Sequence, residues 1–308
     1  MQIWDSDFSL FPHSKTNRTM EGIRHILTIA GSDSVGGAGI QADIKTIFSL
    51  GQYAASAITA VTAQNTCGVR MIQAVDSAVL SAQIDAVLED LDVDAIKIGM
   101  VYTKENVTAI RDSLAKNNYR GHLVLDPVLV ATSGDMLAKA DFLNVLKEQL
   151  FPLCTVLTPN ISEAEAISEM KISSIDDMVE CGRWIASNCH CKNVLVKGGH
   201  STGEKMTDIL VGSDGTFKTF TAEKIDSQNT HGTGCTLSSA IATYLAMGYP
   251  LEESVARAKD YVFNAILAAK DAKVGHGHGS TNHFWGLENK VAPESLPERS
   301  RRVSKGRH

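Results

Sequence analysis

The strongest constraint on the fold of this chain is a repeated alternation: short apolar runs of strand length are followed by amphipathic stretches of helix length. The runs and stretches fall at residues 25–30 and 39–50, 53–63 and 77–91, and 95–100 and 104–117. They continue as 123–127 with 140–150, 155–159 with a helix opening near Ser162, a helix over 175–187 and a strand over 193–197. Strands joined through helices lie parallel, and a parallel sheet must be covered on both faces. The pattern therefore predicts an α/β fold with a mostly parallel central sheet and helices on both faces. Residues 208–212 and 216–225, joined by Ser213-Asp214-Gly215, read as an antiparallel edge hairpin, and the last helices as 236–247 and 251–272.

Composition narrows the function. At 308 residues and 44% hydrophobic content the chain can bury one large core, and a net charge of −6 offers no long-range attraction to nucleic acid. No apolar run approaches bilayer length, so the expectation is a soluble protein acting on a small molecule, with neither nucleic acid nor membrane as partner. Six scattered cysteines and no leading signal segment point to the cytoplasm. Cys189-His190-Cys191 spaces its thiols too closely for a usual zinc site and reads as buried thiols at a helix end. Residues 1–22 lack sustained periodicity and read as a flexible extension; residues 288–308, basic and poor in apolar side chains, read as a disordered tail.

Ligands of open parallel sheets bind at the carboxyl ends of the strands, so the polar residues there are the site candidates. After the first run comes Gly31-Ser32-Asp33-Ser34-Val35-Gly36-Gly37-Ala38-Gly39, whose glycines admit a ligand close to the backbone but do not match a dinucleotide-binding fingerprint. Gln64 follows the second run; a carboxamide offers a donor beside an acceptor and can pair side-on with an aminopyrimidine edge. Asp126 and Glu163 put carboxylates at two further strand ends, where they suit magnesium beside phosphates, though Asn160, Ser162 and Glu163 also read as helix capping. Lys197-Gly198-Gly199-His200 adds a cation at the same edge. No G-x-x-x-x-G-K-[ST] motif occurs.

Within Asn229-Thr230-His231-Gly232-Thr233-Gly234-Cys235-Thr236 the loop from Gly232 to Cys235 is the best phosphate site, because glycines and small hydroxyl residues before a helix leave backbone N–H groups free to surround an anion. The helix end is expected to lower the Cys235 thiol pKa and favour thiolate. A reading in which Cys235 is a covalent nucleophile with His231 as base is the weaker one, since a phosphate would occupy the same space. His276-Gly277-His278-Gly279-Ser280 has the composition of a flexible gate.

Taken in order, Thr28 to Thr46 with its glycine loop, Ile58-Thr-Ala-Val-Thr-Ala-Gln-Asn-Thr, Lys97-Ile-Gly-Met, Leu157-Thr-Pro-Asn, Val196-Lys-Gly-Gly-His and Asn229-Thr-His-Gly-Thr-Gly-Cys-Thr-Leu-Ser resemble the hydroxymethylpyrimidine/phosphomethylpyrimidine kinases of thiamine biosynthesis. The resemblance runs from about residue 25 to 286 and implies a ribokinase-like three-layer sandwich over residues 23–287. It implies ATP and Mg2+ as cofactors, a homodimer, and two phosphorylations: of 4-amino-5-hydroxymethyl-2-methylpyrimidine, then of its monophosphate. By the same resemblance Gln64, Asp43, Gly31, Met100 and Val128 are substrate-side residues. Asn160, Lys197 and Asp208 belong to the nucleotide, and Asp126 and Glu163 to the metal. Cys235 is the base, within the anion loop of Gly232, Thr233 and Gly234. Sugar kinases of this fold generally carry Asp at the position of Cys235, which weakens that reading. Pyridoxal kinases of the cysteine type remain a rival, as does a catalytically silent pyrimidine-binding protein.

Overall fold

A computed structural model of the chain describes residues 22–129, 140–198 and 205–287. The expected extension, almost the whole of residues 1–22, and the expected tail at 288–308 lie outside the described residues, as do Gly199 and His200. In chain order the elements are β1 (His25–Ala30), α1 (Gly39–Ser49), β2 (Tyr53–Ile58), β3 (Ala60–Asn65), β4 (Gly68–Ala74), α2 (Ser77–Asp90), β5 (Ala95–Ile98) and α3 (Lys104–Lys116). They continue as β6 (His122–Leu125), α4 (Ala140–Gln149), β7 (Val156–Leu157), α5 (Ile161–Ser168), α6 (Ile175–Asn188), β8 (Asn193–Val196), β9 (Lys205–Gly212), β10 (Phe217–Glu223), α7 (Thr233–Ala246) and α8 (Leu251–Ala269).

Eight strands form one sheet in the order β10-β9-β8-β7-β6-β5-β1-β2. From β2 to β8 neighbours are parallel; β9 is antiparallel to both β8 and β10, so the edge hairpin stands where its turn residues place it. β1, β5 and β6 are buried almost throughout because both faces of the sheet are covered, with Thr28 and Lys97 as the buried polar exceptions. Leu80 and Ile84 of α2, Val107 and Ile110 of α3, Leu146 of α4, Ile167 of α5 and Ile185 of α6 share one core layer. Ile47 of α1, Ile241 and Leu245 of α7 and Val255 of α8 share the other. This is the ribokinase-like three-layer architecture.

The apolar run at 53–63 is not one strand. β2 stays in the main sheet, the chain turns at Thr59, and β3 pairs antiparallel with β4 as a separate two-stranded flap. Thr59 holds the turn: its N–H donates to the Ala30 carbonyl and its Oγ1 to the Met100 carbonyl at 2.6 Å. Gln64 therefore sits on the flap and not at a strand end of the main sheet.

Helix starts divide into two kinds. Asp76, Thr103, Asn160 and Ser174 cap α2, α3, α5 and α6 with side-chain oxygens, Asn160 and Ser174 as full capping boxes. α7 starts instead at Gly232, in the left-handed region at φ 84°, with no side-chain cap. That glycine is required, since a methyl group there would stand 1.9 Å from the Gly37 carbonyl oxygen. α7 begins three residues before the expected start at 236, which puts Gly234 and Cys235 in its first turn.

Candidate active site

The uncapped start of α7 meets the carboxyl ends of β6 and β8. A methyl group on Gly234 would stand 3.3 Å from Asp126 Oδ2 and 3.5 Å from Lys197 Nζ, so the expected phosphate loop, carboxylate and cation converge. Lys197 Nζ donates to Asp126 Oδ1 at 2.6 Å, and Thr158 Oγ1 donates to the same oxygen at 3.1 Å. The Lys197 backbone is tied by its N–H to the Pro159 carbonyl, and Asn160 pairs with Lys197 in an isolated parallel bridge beyond the ends of β7 and β8. Backbone N–H groups of an uncapped helix end, a lysine and a helix dipole together make a cradle for an anion.

Glu163 takes part twice. Its side chain accepts from the Asn160 N–H at 2.8 Å, completing the capping box. Burial pushes its carboxyl up to about 7; Lys197 opposes that shift and Asp126 adds to it. Two buried carboxylates beside one ammonium are short of positive charge, and a hard divalent cation that keeps most of its water needs only one or two such oxygens. The donor set of Asp126 and Glu163 fits magnesium on those grounds. Among the described residues no group of three or more His, Cys, Asp or Glu side chains comes together as a metal cage, Cys181, Cys189 and Cys191 included.

Cys235 is partly exposed. Burial pushes its thiol up to about 11; Lys97 and the Gly39 N–H pull the other way, while Asp43 and Asp126 add to the rise. The expected lowering by the helix end is thus overturned, because desolvation and two carboxylates outweigh it. Near neutral pH the free site holds a thiol.

Asp43, expected on the substrate side, is sealed beneath α7. Lys97 Nζ lies 2.8 Å from both of its oxygens, Thr28 Oγ1 donates at 2.6 Å and Ser239 Oγ at 2.7 Å. Both charged side chains are fully buried. Burial alone would lower the Lys97 pKa, but Asp43 overrides it and holds the ammonium charged. Asp208, expected at the nucleotide, is also internal: it accepts from the Gly198 N–H at 2.9 Å and pairs with Lys259 at 2.5 Å, which anchors Gly198 next to Lys197.

On the flap side, the Gln64 carboxamide stands 3.3 Å from His231 Nε2, and that nitrogen stands 3.0 Å from Asp33 Oδ2. The His231 ring is thereby directed to Asp33 and Gln64, which deprives the covalent-nucleophile reading of its base. Gly31 lies against Met100, whose methyl carbon would be 2.3 Å from a methyl group placed on Gly31. Val128 is half-buried, two residues after Asp126. The expected gate is pinned to the flap: Thr66 Oγ1 accepts from the N–H groups of His276 and Gly277, and the Thr66 carbonyl from that of His278. Lys97 and Asp33 are not among the expected site residues, and His231 is expected only as the base of the weaker covalent reading. The signal for Lys97 was a lysine inside an otherwise apolar strand, which must find a buried partner.

The sequence family described as phosphomethylpyrimidine kinase matches residues 33–282. A hydroxymethylpyrimidine/phosphomethylpyrimidine kinase of Rhizobium meliloti is 49% identical over 262 residues, covering 84% of this chain and 96% of that protein. Among solved structures, phosphomethylpyrimidine kinase from Clostridium difficile superposes with a TM-score of 0.70 at 46% identity, covering 79% of this chain and 99% of that one. Pyridoxal kinase from Staphylococcus aureus, in complex with AMP-PCP and pyridoxal, gives 0.77 at 31% identity, covering 87% of this chain and 96% of that one.

Proposed function

The chain belongs to the phosphomethylpyrimidine kinase family, and from that membership we propose how its site works as an ATP-dependent phosphotransferase. The reaction is transfer of the γ-phosphoryl group of ATP to the hydroxymethyl oxygen of 4-amino-5-hydroxymethyl-2-methylpyrimidine, and then a second transfer to the monophosphate, in thiamine biosynthesis. The observation that carries the reading is the convergence of the uncapped α7 start, Asp126 and Lys197 around Gly234. Phosphoryl transfer asks mainly for positioning and charge stabilisation, and these groups supply both.

In this reading the N–H groups of Gly232, Gly234 and Cys235 hold the transferring phosphoryl group, with Lys197 beside it, while the Thr233 N–H donates to the Thr230 carbonyl and shapes the loop. Asn160 and Lys197 face the nucleotide phosphates. Gly31, Met100 and Val128 enclose the pyrimidine that Gln64 reads. Asp126 and Glu163 hold magnesium and its waters; magnesium, when bound, neutralises phosphate charge. Cys235 accepts the hydroxymethyl proton in the first step as its thiolate, the minor form in the free site, and Lys97 is the side chain that pulls the sulfur most toward that form. In the second step the acceptor is already anionic, so a base matters less. Asp43 serves through Lys97, and Asp208 through the Gly198 N–H. Six unpaired cysteines support a cytoplasmic enzyme, and a homodimer rests on family resemblance alone.

A pyridoxal kinase reading has the fold in its favour, since the superposition is slightly better, but its identity is lower, 31% against 49%. A silent pyrimidine-binding protein is opposed by the retained Asp126, Lys197 and Cys235. A coupled ADP-release assay with hydroxymethylpyrimidine, its monophosphate and pyridoxal, with the product's phosphate position read by NMR, separates the three. Turnover of both pyrimidines is expected. Turnover of pyridoxal alone, or of nothing, refutes the reading.

A further inference from the structure

Gln64 can read a ligand edge only if its carboxamide has a fixed polarity, because its carbonyl and amino ends have nearly the same shape and exchange by a half-turn. The structure assigns to His231, held by Asp33, the task of fixing that polarity, with the carbonyl end toward His231 and the amino end toward Thr62. His231 is thus a positioning residue for substrate discrimination. The inference rests on the aminopyrimidine reading above.

Two contacts lead independently to this polarity. His231 Nε2 lies 3.0 Å from Asp33 Oδ2, and Asp33 also receives the N–H groups of Val35, Gly37 and Ala38 at 2.8–3.1 Å. Burial would raise Asp33, but the His231 bond and the Ala38 and Val35 N–H groups hold it below its ordinary value, so it is a carboxylate. A ring lone pair facing a carboxylate repels it, so the proton sits on Nε2. As placed, the Gln64 amide nitrogen faces that N–H at 3.3 Å, donor against donor. A half-turn of the carboxamide replaces the repulsion with an Nε2–H shared between Asp33 and the Gln64 carbonyl.

The second contact is at the other end. The carboxamide stands 3.4 Å from Thr62 Oγ1, and the single hydroxyl proton of Thr62 already goes to the Ser32 carbonyl at 2.7 Å. Thr62 has only a lone pair left for Gln64, so the group facing it must be the amino end. Both neighbours demand the same half-turn. The imidazole is itself clamped: its backbone N–H donates to the Gly279 carbonyl at 3.1 Å, and a methyl group on Gly37 would come within 2.6 Å of its Cδ2.

A fixed polarity orients the pyrimidine. Around its ring the order is ring nitrogen N3, then the carbon bearing the amine, then the carbon bearing the hydroxymethyl group. The Gln64 amino end takes N3 on the Thr62 side, and its carbonyl takes the amine on the His231 side. The hydroxymethyl group follows in the same direction, toward Gly232, the residue that succeeds His231 and opens the phosphate loop. The opposite polarity would turn that group away from Cys235. The analogue with oxygen in place of the amine, which presents N3–H and a carbonyl, is rejected because both of its contacts meet their own kind.

The test compares dissociation constants for the aminopyrimidine alcohol and its 4-oxo analogue by calorimetry. Wild type should prefer the amine by roughly 10- to 100-fold, the scale of a side-on pair. His231→Leu, folded by circular dichroism, should bring the preference to within about threefold, and His231→Gln, which restores an N–H, should recover most of it. An undiminished preference in folded His231→Leu overturns the inference. Wild type that binds neither compound refutes the proposed substrate instead. ¹⁵N NMR of the wild-type imidazole judges the polarity without any ligand: a protonated Nε2 is expected, and an unprotonated Nε2 overturns it.

Discussion

Two lysine–aspartate pairs lie at one end of this sheet, and they do opposite things. Lys97 and Asp43 are both fully buried, and Asp43 is saturated by Thr28 and Ser239 as well as by the ammonium. Lys197 and Asp126 are slightly exposed, at 14% and 3%, and they face Gly234 at the open start of α7. The first pair can only brace what lies above it. The second borders the open start of α7, where the proposed phosphate and cation would lie. Chemical type alone does not mark a catalytic residue; the difference lies in whether the neighbours leave any capacity unused.

The sharpest way to break this contrast is to remove each lysine. Lys97→Met strands a sealed carboxylate and should cost about 3–5 kcal/mol of folding stability, measured by urea unfolding. A loss below about 1 kcal/mol would mean that Asp43 reaches water or protonates cheaply. Lys197→Met should lower kcat by roughly 10²- to 10³-fold, as removal of one preorganised charge-stabilising donor does, with a smaller stability loss than Lys97→Met. If Lys197→Met unfolds the protein and Lys97→Met mainly slows it, the assignment is reversed.

Thiol chemistry gives the next contrast. With its thiol pushed up to about 11, Cys235 in the free protein should alkylate with iodoacetamide at a rate rising about tenfold per pH unit from pH 8 to 10, monitored by mass spectrometry. A plateau by pH 8 would restore the thiolate expected from the helix end.

The smallest effect concerns Glu163. Its folded-state pKa of about 7 exceeds the ordinary 4.5, so between those values the folded state binds the extra proton and Glu163 costs stability as pH rises. His283, pushed down to about 4 by burial with Lys45 and His231 adding, acts oppositely between about 4 and 6.5, so the variant must be compared with wild type. Glu163→Gln, which can keep the cap, should gain stability relative to wild type as pH rises from 4.5 to 7 and hold that gain above it. A difference independent of pH would place the Glu163 charge in water.

The layered fold was legible because strand and helix periods differ and each apolar run names its own element. The flap was not: residues 53–63 are apolar or small throughout, and nothing in them announces the turn at Thr59. The convergence of Gly234, Asp126 and Lys197 is legible because strand ends of a parallel sheet share one edge. The burial of Asp43 beneath α7 and the contact of Asp33 with His231 do not show in the sequence, because the partners are remote in it. Asp43 meets Ser239 across 196 positions and Asp33 meets His231 across 198, and such pairs leave no trace in local pattern. The thiol of Cys235 was misjudged because a helix end is visible in sequence and desolvation is not.

The central claim is that the α7 start, with Cys235 in its first turn, carries out two phosphorylations that differ in their need for a base. Steady-state rates of Cys235→Ala for hydroxymethylpyrimidine and for its monophosphate test it directly. A loss on the first step exceeding that on the second by at least roughly tenfold is expected. Equal losses on both steps would contradict it.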